Sequence, residues 1–236
     1  MDLLTGLVSV IPIALLAGVV GLDVVSFPQA MISRPIVGAT LGGAFLGAPE
    51  AGLVCGTALE CLALESLPVG ASRYPEWGSA SVVAGAVSAV GATGSSFPDV
   101  GAFAVAVLVG ILTAWTGGWT MVKHRQLIAS FARPRLDQLA AGSRRTVIGL
   151  QVFGMTADLL RGALLGTVMY LLARPLAELV NARWTVGEDL SRAVIIACVA
   201  AVAASAVWKD FHAISGTRRL FLASLAVGTL LVVAGA

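Results

Sequence analysis

The chain has 236 residues, of which 58% are hydrophobic and only 12% charged, about half the charged share of an average soluble domain. A water-soluble enzyme is excluded on that ground. The net charge is only +2, and its basic excess sits between apolar stretches, so it bears on membrane orientation and not on nucleic acid. Twenty-seven glycines beside 6% aromatic residues suit membrane helices packed through small side chains, since lipid offers helices no hydrophobic drive to associate. The composition therefore predicts an all-α polytopic membrane protein, a single membrane-embedded domain over residues 1–236. A span takes about 20 apolar residues, which leaves space for roughly six to eight crossings or partial crossings.

In chain order, Leu3 to Leu22 is apolar and lacks a basic leader or small-residue cleavage pattern, so it is expected to stay as a membrane segment. Asp23 to Pro35 follows, mixing an acid, Gln29, Ser33, Arg34 and two prolines. Ile36 to Gly47 and the pieces up to Leu67 are apolar over runs too short for simple spans. They predict re-entrant or broken helices, which survive at membrane depth only when buried in protein or lining a cavity. Gly38-x3-Gly42 and Gly43-x3-Gly47 predict close helix packing. Gly78 to Ser96, rich in Ala, Gly, Ser and Val, reads as a helix wedged among neighbours.

Val100 to Val122 is a full span ending in the interfacial signature Trp115, Trp119, Lys123. The stretch 123–146 then carries Lys123, Arg125, Arg133, Arg135, Arg144 and Arg145 against the single acid Asp137, and the positive-inside rule makes it a cytoplasmic basic loop. From that anchor the C-terminal helices of 147–236 propagate. Thr146 to Leu172 crosses outward, Arg174 to Arg192 lies outside, Ala193 to Trp208 returns, Lys209 to Arg219 is inside, and Leu220 to Ala236 crosses again. Cys55, Cys61 and Cys198 have no CxxC spacing and read as small buried hydrophobes.

Ionisable side chains at membrane depth cost about 2.5–3.5 kcal/mol each on insertion scales, so they are functional candidates by default. Here Asp23, Arg34, Glu60, Glu65, Arg73 and Glu76 concentrate early, interleaved with Gln29, Thr57, Ser66 and Ser72. Pro68 and Gly70 break the chain just after Glu60, freeing backbone groups near that depth, which is how transporters build a site for a polar solute. A neutral sugar asks for carboxylates, amides and hydroxyls with few net charges, and Glu60, Glu76, Gln29, Ser72 and Thr57 supply them; Asp23 and Arg73 come second. The competing structural reading pairs Glu60 and Glu76 with Arg34 and Arg73 to pin broken helices together. Arg34 before Pro35 reads as a helix-start anchor, and Asp158 with Arg161 as a local ion pair on one helical face. Neither His124 nor His212 has ligand-spaced partners, and no metal, nucleotide or nucleophile motif is present, so no cofactor is expected.

The order Gln29-x4-Arg34-Pro35, then Gly52-x3-Gly56-Thr57-x2-Glu60-x2-Ala63-Leu64, then Gly70-Ala-x3-Pro75-Glu76 resembles the membrane-embedded IIC subunit of the mannose/fructose/sorbose family of sugar phosphotransferase systems. The likeness continues more weakly through His124-Arg125 and Arg161. It implies an elevator-type transporter fold with a sugar-binding core over 23–97, and a permease of the bacterial plasma membrane. Its role would be to bind a hexose-type sugar and move it inward for phosphorylation by a separate IIB subunit. The implied partners are a sister IID membrane subunit, cytosolic IIA and IIB subunits, the sugar, membrane lipid and further copies in an oligomer. Phosphoryl transfer falls to the soluble subunits, so this chain is not expected to be an enzyme. It departs from the family at Pro68, where an Asn is usual, and at Glu65 and Arg73, where residues are usually apolar or small. Loss of that amide motivates a second reading, a non-transporting membrane scaffold or sensor that keeps the IIC fold.

Overall fold

Two prolines set where the short helices begin. Pro35 and Pro49 stand at the first positions of α2 (Pro35–Ala44) and α3 (Pro49–Ala63), where a missing N–H is harmless and the fixed φ already suits a helix. A computed structural model gives the fold, and it describes residues 3–64, 73–92, 97–184, 186–212 and 215–235. The remaining helices are α1 (Leu3–Asp23), α4 (Trp77–Ser88), α5 (Val100–Ala132), α6 (Leu136–Ala140), α7 (Arg144–Arg183), α8 (Glu188–His212) and α9 (Thr217–Gly235). No strand occurs among the described residues.

At 10 and 15 residues, α2 and α3 reach about 15 and 22 Å, short of the roughly 30 Å hydrocarbon layer. They pack on each other as a hairpin closed at Gly47, whose φ of +81° a side chain would disfavour. The expectation of broken, non-spanning helices in this region therefore holds. Four stretches, Val100–Ala140, Arg144–Arg183, Glu188–Trp208 and Thr217–Ala234, are long and apolar enough to cross a membrane.

α4 is the hub. Every residue from Gly78 to Ser88 is buried, with α1, α2, α3, α5 and α7 packed around it. Its Gly, Ala, Ser and Val side chains make this approach feasible, and the neighbours answer with glycines of their own. A Cβ on Gly85 would run into the Ala39 carbonyl of α2, and one on Gly42 of α2 into the Val82 carbonyl of α4. Gly38 and Gly42 thus serve packing, as their spacing implied, and so does Gly43, but Gly47 does not: it lies in the turn after α2, where a Cβ would meet nothing within 4 Å.

Three features differ from the sequence expectation. The basic loop of 123–146 is mostly helix: α5 runs on to Ala132 because no breaker comes before Pro134, and a 3-10 turn at Arg133–Arg135 and α6 lead directly into α7. The outer loop of 174–192 also contracts to the few residues between α7 and α8. Pro175 is accommodated inside α7, and Arg174 pairs with Glu178 at 3.0 Å one turn on. Lastly, Cys55 is buried but Cys198 lies exposed on α8, so its expected burial does not hold.

Candidate functional site

The site begins at the end of α1. Asp23, nearly fully buried, accepts the backbone N–H groups of Ala30 at 2.6 Å and Ser33 at 2.9 Å. Its carboxylate thereby folds the segment between α1 and α2 back on itself, a segment holding Gln29 and Met31 at φ of 57° and 64°. Such left-handed backbone is unfavourable for side-chain-bearing residues and persists only where surroundings enforce it. The Gln29 side chain is exposed and donates to the Val25 carbonyl at 3.1 Å.

Glu60 joins this segment from α3. The face of α3 bearing Gly52, Gly56 and Glu60 meets α2 so closely that a Cβ on Gly56 would stand 2.8 Å from the Pro35 carbonyl. That closeness lets the Glu60 carboxylate pair with Arg34 and accept the Ile36 N–H at 3.2 Å, a favourable place for a negative charge at the N-terminus of α2. The pair stays partly open to its surroundings, with the Arg34 side chain 37% and Glu60 17% exposed. Thr57, one turn back, donates to Leu53 of its own helix at 2.9 Å.

A cleft of about 100 Å³ opens beside Arg34, walled by Val24, Ser33, Pro35, Ala63, Tyr74, Pro75 and Trp77. Behind its Pro75 wall lies Glu76, fully buried. Glu76 caps α4 by accepting the Ser79 N–H at 3.0 Å, and its own N–H donates to the Ala114 carbonyl of α5 at 2.8 Å. Glycines make its seat: a Cβ on Gly117 would come 2.8 Å from the Glu76 Cβ and 2.9 Å from Oε2, and one on Gly78 within 2.9 Å of Oε1.

The cationic partner of Glu76 is Arg161 of α7, Nη1 to Oε2 at 3.9 Å, and not Arg73 as the structural pairing would have it. Arg73 is exposed, its guanidinium 6.0 Å from the Trp115 ring centre. Arg161 also donates from Nε to Asp158 at 2.8 Å and from Nη1 to Thr120 at 3.2 Å, and Asp158 accepts the Ser26 hydroxyl at 3.1 Å. The expected local pair on α7 is therefore present, yet it belongs to a buried network that ties α7 to α4, α5 and the segment after α1. Two of its buried atoms, Glu76 Oε2 and Arg161 Nη2, have no hydrogen-bond partner among the described residues. Buried polar atoms in that condition are rare and costly.

Of the residues singled out in the sequence, Asp23, Glu60 and Glu76 gather around the cleft, whereas Gln29, Thr57 and Arg73 direct their polar groups elsewhere. Ser72, with Glu65 and Pro68, lies outside the described residues. Sequence reasoning passed over Tyr74 and Trp77, and it undervalued Asp158 and Arg161. The signal for the latter was available, since they are the only charges between Thr146 and Ala173.

The family model for the sorbose-specific IIC component of the phosphotransferase system matches residues 7–186, most of the chain and all of this site. The chain belongs to that family. It is accordingly a multi-pass protein of the bacterial plasma membrane and a transport subunit of a sugar phosphotransferase system, phosphoryl transfer residing on other subunits. No curated protein matches the chain. Among solved structures, one described as a membrane protein aligns over 99% of this chain and 95% of its own, at TM-score 0.64 and 19% identity. Another, the mannose transporter ManYZ in complex with microcin E492, aligns over 98% of this chain and 88% of its own, at TM-score 0.60 and 16% identity. At these identities the likeness is one of fold.

Proposed function

We propose that this IIC subunit takes up a hexose-type sugar at the cleft between Arg34, Tyr74 and Trp77, and carries it inward for phosphorylation by a separate IIB subunit. The observation that carries the reading is the convergence of Glu60 with Arg34 at the cleft and of Glu76 with Arg161 behind it, Arg34, Glu60 and Glu76 lying at the ends of helices too short to span and Arg161 in the middle of the long α7. Aromatic walls beside carboxylate and guanidinium groups suit a solute that is apolar on its ring faces and hydroxylated on its rim. The open hydrogen-bonding capacity of Glu76 Oε2 and Arg161 Nη2 is what a sugar hydroxyl would satisfy once Pro75 and Tyr74 shift.

In this reading the unit of α2, α3 and α4 travels as an elevator against a scaffold of the longer helices. A sister IID subunit completes the membrane complex, IIA supplies phosphoryl groups to IIB, and the assembly is oligomeric. Asp23 acts by shaping the segment that carries Ser33 and Arg34, and Gln29, Thr57, Ser72 and Arg73 are contacts to test after the carboxylates. Transport needs affinity for sugar in both outward- and inward-facing states, with trapping supplied by phosphorylation.

The test is sugar uptake with intracellular phosphorylation in cells that express this chain with its IID and IIB partners, against cells lacking this chain. Uptake is expected to vanish without it, and Glu60→Gln is expected to abolish uptake while assembly with IID persists. Wild-type uptake by Glu60→Gln makes Glu60 a purely structural tie. One observation favours the scaffold or sensor reading: both carboxylate oxygens of Glu60 are already engaged, by Arg34 and Ile36. An assembled complex that takes up no hexose, hexosamine or sorbose decides for that reading.

A further inference from the structure

α5 and α7 are longer than a membrane requires. With 33 and 40 residues they extend about 50 and 60 Å, against roughly 30 Å of hydrocarbon. Trp115, Trp119 and Lys123 mark the interface on α5, the Lys123 ammonium lying 5.9 Å from the Trp119 ring centre. Beyond them the two helices, with the 3-10 turn and α6 between, form a hairpin in which no residue from Val122 to Phe153 is buried, and its one-sided basic charge places it on the cytoplasmic side by the positive-inside rule.

That hairpin is both cationic and apolar. It bears Lys123, Arg125, Arg133, Arg135, Arg144 and Arg145 against Asp137 alone, in a chain whose net charge is only +2. Leu127, Phe131, Leu136, Val147, Ile148, Val152 and Phe153 are exposed on it. Phe131 and Phe153 meet across the hairpin with ring centres 4.6 Å apart, at the edge of a 460 Å³ groove that Arg135, Gln138, Arg145 and Thr146 also line. Apolar surface of this extent outside the bilayer marks an interaction site, and the one-sided charge sets the sign of the partner.

The hairpin is also wired to the cleft. Arg125, on its first turn, donates from Nη2 to the Tyr74 hydroxyl at 2.5 Å, and its guanidinium lies 5.1 Å from the Tyr74 ring centre. Tyr74 is a wall of the cleft. Whatever binds the hairpin near Arg125 is therefore one side chain removed from the wall of the cleft.

We infer that residues 123–153 are the docking surface for an acidic, water-soluble protein, the subunit that phosphorylates the sugar as it emerges, with Arg125 and Tyr74 joining the docked partner to the cleft. This rests on the transport reading above and assigns that reading a contact surface. The height of the hairpin argues for a soluble occupant, because its exposed Leu136 and its Arg133, Arg135, Arg144 and Arg145 lie at the end farthest from the interfacial tryptophans.

The experiment measures two bindings on the same complex of this chain and its IID subunit in nanodiscs of zwitterionic lipid: the sugar, and the purified IIB subunit over a salt series. Replacing Arg133, Arg135, Arg144 and Arg145 together by Glu is expected to weaken IIB binding at least tenfold and to flatten its salt dependence, with sugar affinity unchanged. The four Lys replacements are expected to keep IIB binding. Unchanged IIB affinity in the Glu variant overturns the inference. So does a Glu variant that keeps IIB but loses IID, or that, in a parallel set of discs containing anionic lipid, loses a preference for that lipid shown by the wild type, since the occupant is then the sister subunit or the leaflet. Sugar binding by the wild type without any IIB binding defeats the docking surface alone, whereas absence of both defeats the transport reading as well.

Discussion

The α5 span and the α9 span are both apolar enough to cross a membrane, yet 61% of the first is buried inside the protein and 0% of the second. The difference lies in residue size. α5 offers Gly101, Ala102, Ala106, Gly110, Ala114, Gly117 and Gly118 to its neighbours, so the backbones of α4 and α7 come close and polar groups such as Glu76 can be enclosed between them. α9, which turns Leu220, Leu225, Leu230, Val232 and Val233 outward, has α8 as its main neighbour. In a membrane, small residues and polar ties hold helices together and large apolar ones face lipid. Apolarity by itself does not distinguish the two regions.

The largest test of this contrast is Arg161→Ala. It leaves Glu76 and Asp158, both fully buried, without their cation, and breaking such a pair from one side costs about 3–5 kcal/mol. Unfolding in detergent micelles is expected to show that loss together with loss of sugar uptake. A variant as stable as the wild type shows that the network does not hold α7 to the core.

Next in size is Gly85→Ala. Its new Cβ meets the Ala39 carbonyl, a backbone atom that cannot swing aside, so α2 must move off α4 at a cost of about 1–3 kcal/mol, the usual range for overpacking. The same substitution at Gly149, where a Cβ meets nothing within 4 Å, is expected to be neutral or slightly stabilising through helix propensity. Equal losses at the two sites would remove the distinction between packed and unpacked surface.

How far the sequence carries toward this picture follows from the same distinction. Short apolar runs around Pro35 and Pro49 predict non-spanning helices, since length and proline position are local properties. The Glu60–Arg34 tie was foreseeable as one of two pairings because both residues lie at breaks in apolar chain. The partner of Glu76 was not, because Arg161 is distant along the chain and its spacing from Asp158 reports only a shared helical face. Tyr74 and Trp77 gave no signal of a cleft, since an aromatic residue near a helix start is as common at an interface as in a wall. The helical hairpin of 123–153 was hidden by its charge, which reads as a loop although no residue before Pro134 prevents a helix.

Asp23→Ala probes the segment between α1 and α2. Two amides lose their acceptor, those of Ala30 and Ser33, and each buried donor left unsatisfied costs about 1–3 kcal/mol, less where water reaches it. Global stability is expected to fall by about 1–2 kcal/mol, toward the low end of that range because both bonds are only partly buried. The sharper readout is amide exchange at residues 30–33, expected to accelerate, with sugar affinity falling because Ser33 and Arg34 line the cleft. Unaltered exchange there assigns the shape of the segment to its own backbone and not to Asp23.

The smallest effect is expected at Leu230→Ala in α9. Leu230 is 68% exposed, and in a bilayer its side chain exchanges one apolar surrounding for another when the helix leaves the bundle, so truncating it removes no contact that the fold relies on. The unfolding free energy of the chain alone is expected to change by less than about 0.5 kcal/mol, as for surface substitutions generally. A loss above about 1 kcal/mol in the isolated chain breaks the comparison, because α9 must then be packed against protein. A loss confined to the complex with the IID subunit sharpens it: the face that this chain leaves uncovered is then one that a second subunit covers, and the large apolar residues of α9 serve assembly where the glycines of α4 and α5 serve folding.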